Sequence, residues 1–340
     1  MTFFDKQVRV LGSLISGYPK IREGLRWLLT HIGILKLTKP DILIFSLRRS
    51  GSTWLMELLG SEPHLRFVNE PLGPKFCNKT GLHKAGISNG HKIIPRNEAD
   101  VCFVMDLLKT PTMTRICGPY NPFSKTYHLW ANRRVLKIIH ASSLFPEIAS
   151  EISRGNSVFL IRHPIPTILS MQSAGTYVHE AHEALEALKA SGIELNEQII
   201  LYAEQLIAEG DELSLWALEW ALEMYASWKA FDEGFFKPLI ISYEELLLEP
   251  QKVISAVCNH CALEDKDRIV SSLKTPSSST NKSKADHLYT SGATNLVRSW
   301  KNKIEEEDIA RIFSVISTIG IDFYDAESFT PSVKYRIGII

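Results

Sequence analysis

Six residues, Asp41-Ile42-Leu43-Ile44-Phe45-Ser46, form a near-continuous apolar run that breaks into a polar, glycine-containing turn, and an apolar helical pattern begins at about Thr53. A run this short and this apolar is a strand buried on both faces, so the segment reads as strand, loop, helix. The pattern recurs from Val135 to Ile139, at Ser157-Val158-Phe159-Leu160-Ile161 and at Pro238-Leu239-Ile240-Ile241-Ser242, with helix-like stretches between. Buried strands alternating with helices give an α/β fold, a parallel β-sheet flanked by helices.

Residues 172–236 depart from this rhythm. Glu and Ala dominate, and Leu185, Leu188, Leu201, Leu206, Trp216, Trp220 and Trp228 recur at helical spacings, which reads as a helical insertion or lid. Residues 40–330 are read as one domain carrying that insertion, preceded by an N-terminal helical segment, residues 1–39. That segment mixes apolar residues with Lys20, Arg22, Arg26 and Lys36. Helices packed on the domain are its expected form, and peripheral association with a membrane surface through residues 1–38 is the alternative. Ser277-Ser278-Ser279-Thr280-Asn281-Lys282-Ser283-Lys284 is a polar, low-complexity stretch expected to be a mobile loop.

The chain of 340 residues is 45% hydrophobic, enough for a large core, and its 38 basic residues balance 38 acidic ones. No excess of charge draws it to nucleic acid, so any anion site must be local. The five cysteines, Cys77, Cys102, Cys117, Cys258 and Cys261, suit a reducing compartment better than a disulfide framework. No run approaches the roughly 20 apolar residues of a membrane span. Asp5, Lys6 and Arg9 break up any secretory leader, so a cytoplasmic location is expected.

Chemistry concentrates at two strand ends. Arg48-Arg49-Ser50-Gly51-Ser52-Thr53 lies between the first strand and its helix, where open α/β sheets bind ligands and free helical N–H groups attract an anion. The GxxxxGK[ST] pattern of a Walker loop is absent, which disfavours an ordinary ATPase or kinase. The strand ending at Ile161 runs into Arg162-His163-Pro164, with Pro166 at the start of a helix that carries Ser170. Arg162 offers a planar fork of donors and Ser170 a single donor, so the two could clasp one phosphate.

Taken together, these loops resemble the sulfotransferases that use 3′-phosphoadenosine-5′-phosphosulfate (PAPS). The family's 5′-phosphosulfate loop reads PKSGTTW where this chain has Arg48-Arg49-Ser50-Gly51-Ser52-Thr53-Trp54, and its 3′-phosphate motif, Arg then Ser eight positions later, is met by Arg162 and Ser170. Ser242-Tyr243-Glu244-Glu245-Leu246 with Pro250 is similar to the YEDL…P segment, and Ser299-Trp300-Lys301 to the C-terminal tryptophan motif. The likeness covers roughly residues 40–324 and is nearest to the branch that modifies carbohydrates or protein tyrosines, in a soluble form of bacterial type. It implies the P-loop type of parallel sheet, PAPS as donor, and Trp54 and Tyr243 against the adenine. Arg49 replaces the family's loop lysine and is assigned to the leaving 5′-phosphate.

The resemblance further implies transfer of a sulfuryl group to a hydroxyl or amine of a small molecule, glycan or lipid. Such an in-line displacement needs fixed cations and backbone donors where charge develops, and no metal. Two groups compete for the role of general base. Glu70, in Asn69-Glu70-Pro71-Leu72, resembles the EPL glutamate of carbohydrate-type members and is preferred. His140 follows Lys137 as in the Lys-Thr-His segment of the small-molecule branch, but with two residues between instead of one. In a continuous strand that spacing turns His140 away from the side Lys137 faces.

Some expected parts are missing. The family's Arg-Lys-Gly triplet has no match before Trp300, where Ala293, Thr294 and Asn295 stand; Arg298 is the candidate substitute for its grip on the 3′-phosphate. Cys258-Asn259-His260-Cys261 lacks a second pair of zinc ligands, and His179, His182 and Glu183 lack the HExxH order, so both are read as structural. The competing readings are a kinase-like phosphotransferase, which would need a Walker lysine, and a non-catalytic nucleotide-binding module.

Overall fold

The computed structural model describes residues 3–34, 37–62, 64–88, 92–110, 131–153, 155–175, 178–232, 237–274 and 292–336. Cys117 and the Ser277–Lys284 stretch lie outside them. Among the described residues, five strands form a single parallel sheet: β1 (Ile42–Ser46), β2 (Leu65–Asn69), β3 (Arg133–Ile138), β4 (Ser157–Ile161) and β5 (Leu239–Ser242), in the order β2-β3-β1-β4-β5. The central β1 lies between β3 and β4, registering Ile44 with Lys137 and with Val158.

Four of these strands are anticipated by the apolar runs, and β2 is not. Its run is interrupted by Arg66, which is nonetheless buried, and Phe67 pairs with Val135 of β3. The start of β3 is disguised in the same way. Arg133 donates to the carbonyls of Pro40 and Cys261, and Arg134 to the Asp41 carboxylate, so buried charge stands where apolar residues were expected. The strand also stops at Ile138, one residue earlier than the apolar pattern.

Alternation along β1 sends Ile42 and Ile44 to one face and Leu43 and Phe45 to the other. On the first face pack α3 (Ser52–Leu59), through Leu55, Leu58 and Leu59, and the helix Pro250–Cys261, through Val253, Ile254 and Val257. Cys258 and Cys261 belong to that core, and burial pushes the Cys261 thiol up to about 12. On the second face Phe45 stacks on Phe145 at 3.9 Å and lies near Phe159.

Among the described residues of the region read as an insertion lie the helices Ala181–Ala190, Glu197–Glu209 and Glu212–Asp232. The last is no lid. Every residue from Leu215 to Ser227 is buried, with Trp216 and Trp220 in the second core, and it packs on the helices Ala181–Ala190 and Glu306–Ile319. A helix apolar around most of its girth belongs to an interior. At the N-terminus stand α1 (Phe3–Leu14) and α2 (Pro19–Ile34), with Val8 and Leu29 buried but Leu14 and Ile21 exposed.

Candidate active site

Parallel strands place their carboxyl ends on one edge, and each strand here delivers a polar residue to it. Beyond β1 comes the 48–53 loop, beyond β2 Glu70, beyond β3 His140, beyond β4 Arg162, and beyond β5 Tyr243. This is the edge at which open α/β sheets bind ligands.

In the β1–α3 loop the chain turns sharply, with Arg49 at φ 63° and Gly51 at φ 91°. Gly51 needs its missing side chain for a second reason, since a Cβ there would meet Cδ2 of Tyr243 at 2.4 Å. The loop is thus pressed against the Tyr243 ring, over whose face the Arg162 guanidinium also lies, 4.5 Å from the centroid. Arg162 donates from Nη1 to the carbonyl of Arg49 at 2.6 Å, and Arg49 donates from Nε to Ser170 Oγ at 3.0 Å. Arg49, Arg162 and Ser170, expected on two separate loops, therefore meet.

Several groups of this corner await a partner. Among the described residues no side chain caps α3, whose N-cap is Gly51, so the amides opening the helix at Ser52, Thr53 and Trp54 face the loop without a side-chain acceptor there. Ser50 Oγ and Arg162 Nε are buried with no hydrogen-bond partner among the described residues. Unsatisfied donors converging at a helix start fit an oxyanion. Trp54 meets Tyr243 edge to face, with ring centroids 6.0 Å apart, at the same corner.

Beside it lies a second cluster, built on Lys137 of β3. Its ammonium is almost wholly buried and spends its three protons on Thr53 Oγ1 at 3.0 Å, Asn69 Oδ1 at 3.1 Å and Glu70 Oε1 at 2.6 Å. Glu70 sits at φ 51°, its amide held by the Lys137 carbonyl at 2.9 Å. A non-glycine residue rarely adopts such a backbone, and here the sheet imposes it on a residue whose carboxylate is 31% exposed. Burial pulls the Glu70 pKa upward, but nearby His140 and the bond and charge of Lys137 outweigh it and bring it to about 2. His140 Nε2 lies 3.9 Å from Glu70 Oε2. His140 would face away from Lys137 in a strand that continued to it, but β3 ends at Ile138 and strand alternation does not apply there.

Arg48 also departs from expectation. It is buried, and it bonds Glu180 at 3.2 Å and Glu219 instead of turning to the loop's anion corner. Lys92 joins the same cluster, reaching Glu219 at 2.9 Å and also Glu223, and Glu219 takes the Glu180 amide at 2.8 Å. Glu219 stays ionised: burial pushes its pKa up, and the Lys92 and Arg48 charges pull it further down. Arg48 is thus a tether between the loop and the long interior helix. Sequence reading missed the carboxylate partners, although Glu219 and Glu223, one turn apart amid Trp216, Trp220 and Ala221, break an otherwise apolar helix.

Arg298, expected to replace a missing grip on the 3′-phosphate, packs its guanidinium on Phe329 at 5.0 Å, in a surface hollow lined also by Leu248, Thr294 and Val297. Trp300 has a clearer role. It is buried and stacks on the His163 ring at 4.6 Å, immediately behind Arg162. Burial brings the His163 pKa down to about 3, so it packs as a neutral ring. Glu244 accepts from the His163 amide at 3.1 Å and from Tyr324 Oη at 2.7 Å, closing the support beneath Arg162.

Comparison with known proteins adds independent information. A solved structure of mouse sulfotransferase SULT7A1 complexed with PAP is similar at 13% identity and a TM-score of 0.41, over 86% of this chain and 87% of that one. A sulfotransferase from Alicyclobacillus acidocaldarius is similar at 14% identity and a TM-score of 0.37, over 82% and 96%. Curated protein sequences return no match. The model of the sulfotransferase family matches residues 40–267, about two thirds of the sequence, spanning β1 to beyond β5 and with them the whole polar edge described above; the chain belongs to the sulfotransferase family.

Proposed function

We propose that this sulfotransferase takes its sulfuryl group from PAPS and passes it to an acceptor hydroxyl, with Glu70 as the general base. The observation that carries the reading is the reach of Lys137, which bonds Thr53 in the first turn of α3 and Glu70 at the same time. One buried cation thereby holds the anion-binding helix and the candidate base at a fixed separation.

The uncapped start of α3, Ser50 Oγ and Arg49 fit a 5′-phosphate. Arg162 and Ser170 fit the 3′-phosphate. Tyr243 and Trp54 offer flat rings at the same corner for a purine. Arg298 stays a weaker candidate for the 3′-phosphate, since reaching it would mean leaving Phe329. Arg48 is left out, its guanidinium being committed to Glu180 and Glu219.

When bound, PAPS supplies the sulfuryl group and a 5′-phosphate leaving group. Glu70 accepts the acceptor's hydroxyl proton as the acceptor oxygen bonds sulfur. The bond from sulfur to the 5′-phosphate oxygen breaks, and Arg49 balances the charge left on that oxygen. Lys137 positions Glu70 and adds positive charge beside the reacting centre. Glu70 is preferred to His140 because its carboxylate is the more exposed of the two, so it is the one an acceptor can touch. Because arginine and lysine supply the charge balance, the reaction is expected to run without a divalent metal. A cytoplasmic location accords with the free thiols of Cys77, Cys102, Cys258 and Cys261.

The direct test is transfer from sulfur-labelled PAPS to a panel of small-molecule, glycan and lipid hydroxyl acceptors, with and without EDTA. Transfer that survives the chelator and falls with Arg49→Ala supports the reading. Transfer abolished by EDTA and indifferent to Arg49→Ala would refute it.

A further inference from the structure

The N-terminal hairpin carries an apolar surface that the active site does not account for. Helices α1 and α2 are joined by a turn closed by its own backbone bonds, Tyr18 N to Ile15 O at 3.0 Å and Arg22 N to Tyr18 O at 3.0 Å. Pro19 starts α2 where its missing N–H costs nothing. Around this turn Leu14 is 72% exposed, Tyr18 63% and Ile21 59%, and Val10, Leu11 and Leu28 of the two helices are exposed too. Six of the eleven exposed large apolar side chains among the described residues fall in this short stretch. Scattered exposed apolar residues are ordinary, but a concentrated patch marks a docking surface.

Charge decides what docks. Residues 3–34 contain five basic residues (Lys6, Arg9, Lys20, Arg22, Arg26) against two acidic ones, Asp5 and Glu23. The chain as a whole is neutral, so the remainder carries the compensating acidic excess. A basic, apolar hairpin on an acidic body is oriented by a negatively charged surface, which attracts the first and repels the second. The exposed Lys20, next to Ile21 at the turn, is placed to keep its ammonium among headgroups while apolar neighbours sink. No helix among the described residues is long and apolar enough to cross a membrane, so contact would be from one side. We propose that the α1–α2 hairpin docks this enzyme on an anionic phospholipid surface, with Leu14, Tyr18 and Ile21 entering the headgroup boundary.

The experiment is flotation of the full chain with vesicles of phosphatidylcholine containing phosphatidylserine, or of phosphatidylcholine alone. The chain should float with the anionic vesicles, be weakened by high salt and stay down with the neutral ones. A Leu14→Asp, Ile21→Asp double variant should lose roughly tenfold or more in partitioning, with an unchanged circular dichroism spectrum and urea midpoint showing that the domain is folded. Should that variant fail to fold, Lys20→Glu serves instead and should weaken anionic binding several-fold. Equal flotation of variant and parent, no flotation of the parent, or indifference to lipid charge would overturn the proposal. So would a parent dimer that the variant converts to monomer while neither floats, which would make the hairpin a contact between copies. None of these readouts depends on the donor or the acceptor of the reaction.

Discussion

Arg162 donates to the main-chain carbonyl of Arg49 at 2.6 Å, so the arginine proposed to grip one phosphate of the donor also fixes the backbone of the arginine proposed to grip the other. Removing Arg162 should therefore be felt at both ends of the nucleotide. A lost charge-assisted contact costs about 1.5–3 kcal/mol, so Arg162→Ala should weaken PAP binding roughly 10- to 150-fold by calorimetry. Binding of adenosine 5′-phosphate should also weaken, by less. If the parent binds ligands with and without the 3′-phosphate equally well, the assignment of Arg162 and Ser170 is wrong.

Glu70→Gln keeps the shape of the side chain and removes its basicity. At saturating PAPS it should lose about 10²–10⁴ in turnover while PAP affinity stays nearly constant. His140→Ala is the comparison, and near-normal turnover in Glu70→Gln with a large loss in His140→Ala would move the role to the histidine.

The pH dependence separates the same two assignments. Held at about 2, Glu70 is ionised throughout the neutral range, so kcat/KM for the acceptor should show no acid limb between about pH 5 and 8. An imidazole base would put a limb near the ordinary histidine value of about 6.5. Because the folded pKa lies below the ordinary 4.5, the pair with Lys137 stabilises the fold fully above that value, and the contribution is lost as pH falls toward 2. Acid unfolding of Glu70→Gln should be correspondingly less steep in that window.

Gly51→Ala meets two obstacles at once, a left-handed backbone and a Tyr243 ring 2.4 Å from the new carbon. A stability loss of about 1–3 kcal/mol in urea is expected, together with weaker PAP binding as the loop shifts. A variant as stable and as tightly binding as the parent would show that the loop is free to move off Tyr243.

Glu219→Ala removes one carboxylate from beneath two cations. Arg48 would keep Glu180 and Lys92 would keep Glu180 and Glu223, so the loss is that of buried charge-assisted bonds to one carboxylate, about 1.5–3 kcal/mol. Glu219→Gln should cost less, because it retains hydrogen-bond acceptance. Urea midpoints of the two variants provide the check.

What the sequence disclosed and what it hid follow from one physical distinction. The strands with uninterrupted apolar runs, β1, β4 and β5, could be read directly, and so could the loops at their ends, because burial on both faces leaves no polar residue to confuse the pattern. The strand carrying Arg66 and the start of the one carrying Arg133 and Arg134 could not, since all three arginines are buried, Arg133 and Arg134 on carbonyl and carboxylate partners distant in sequence. The same cause hid the partners of Arg48, whose motif position pointed to a phosphate while Glu180 and Glu219 lay more than a hundred residues away. For His140 the facing turned on a strand's last residue: the rule of alternation holds only for a strand that continues to His140, and β3 ends at Ile138.

The left-handed turn at Arg49 gives neighbouring arginines opposite fates. One is buried among carboxylates and the other is exposed beside Ser170. A library varied at both positions and scored separately for protein abundance and for product formed would thus split along the peptide bond between them. Substitutions at Arg48 would register as missing protein, and substitutions at Arg49 as protein that is present and idle.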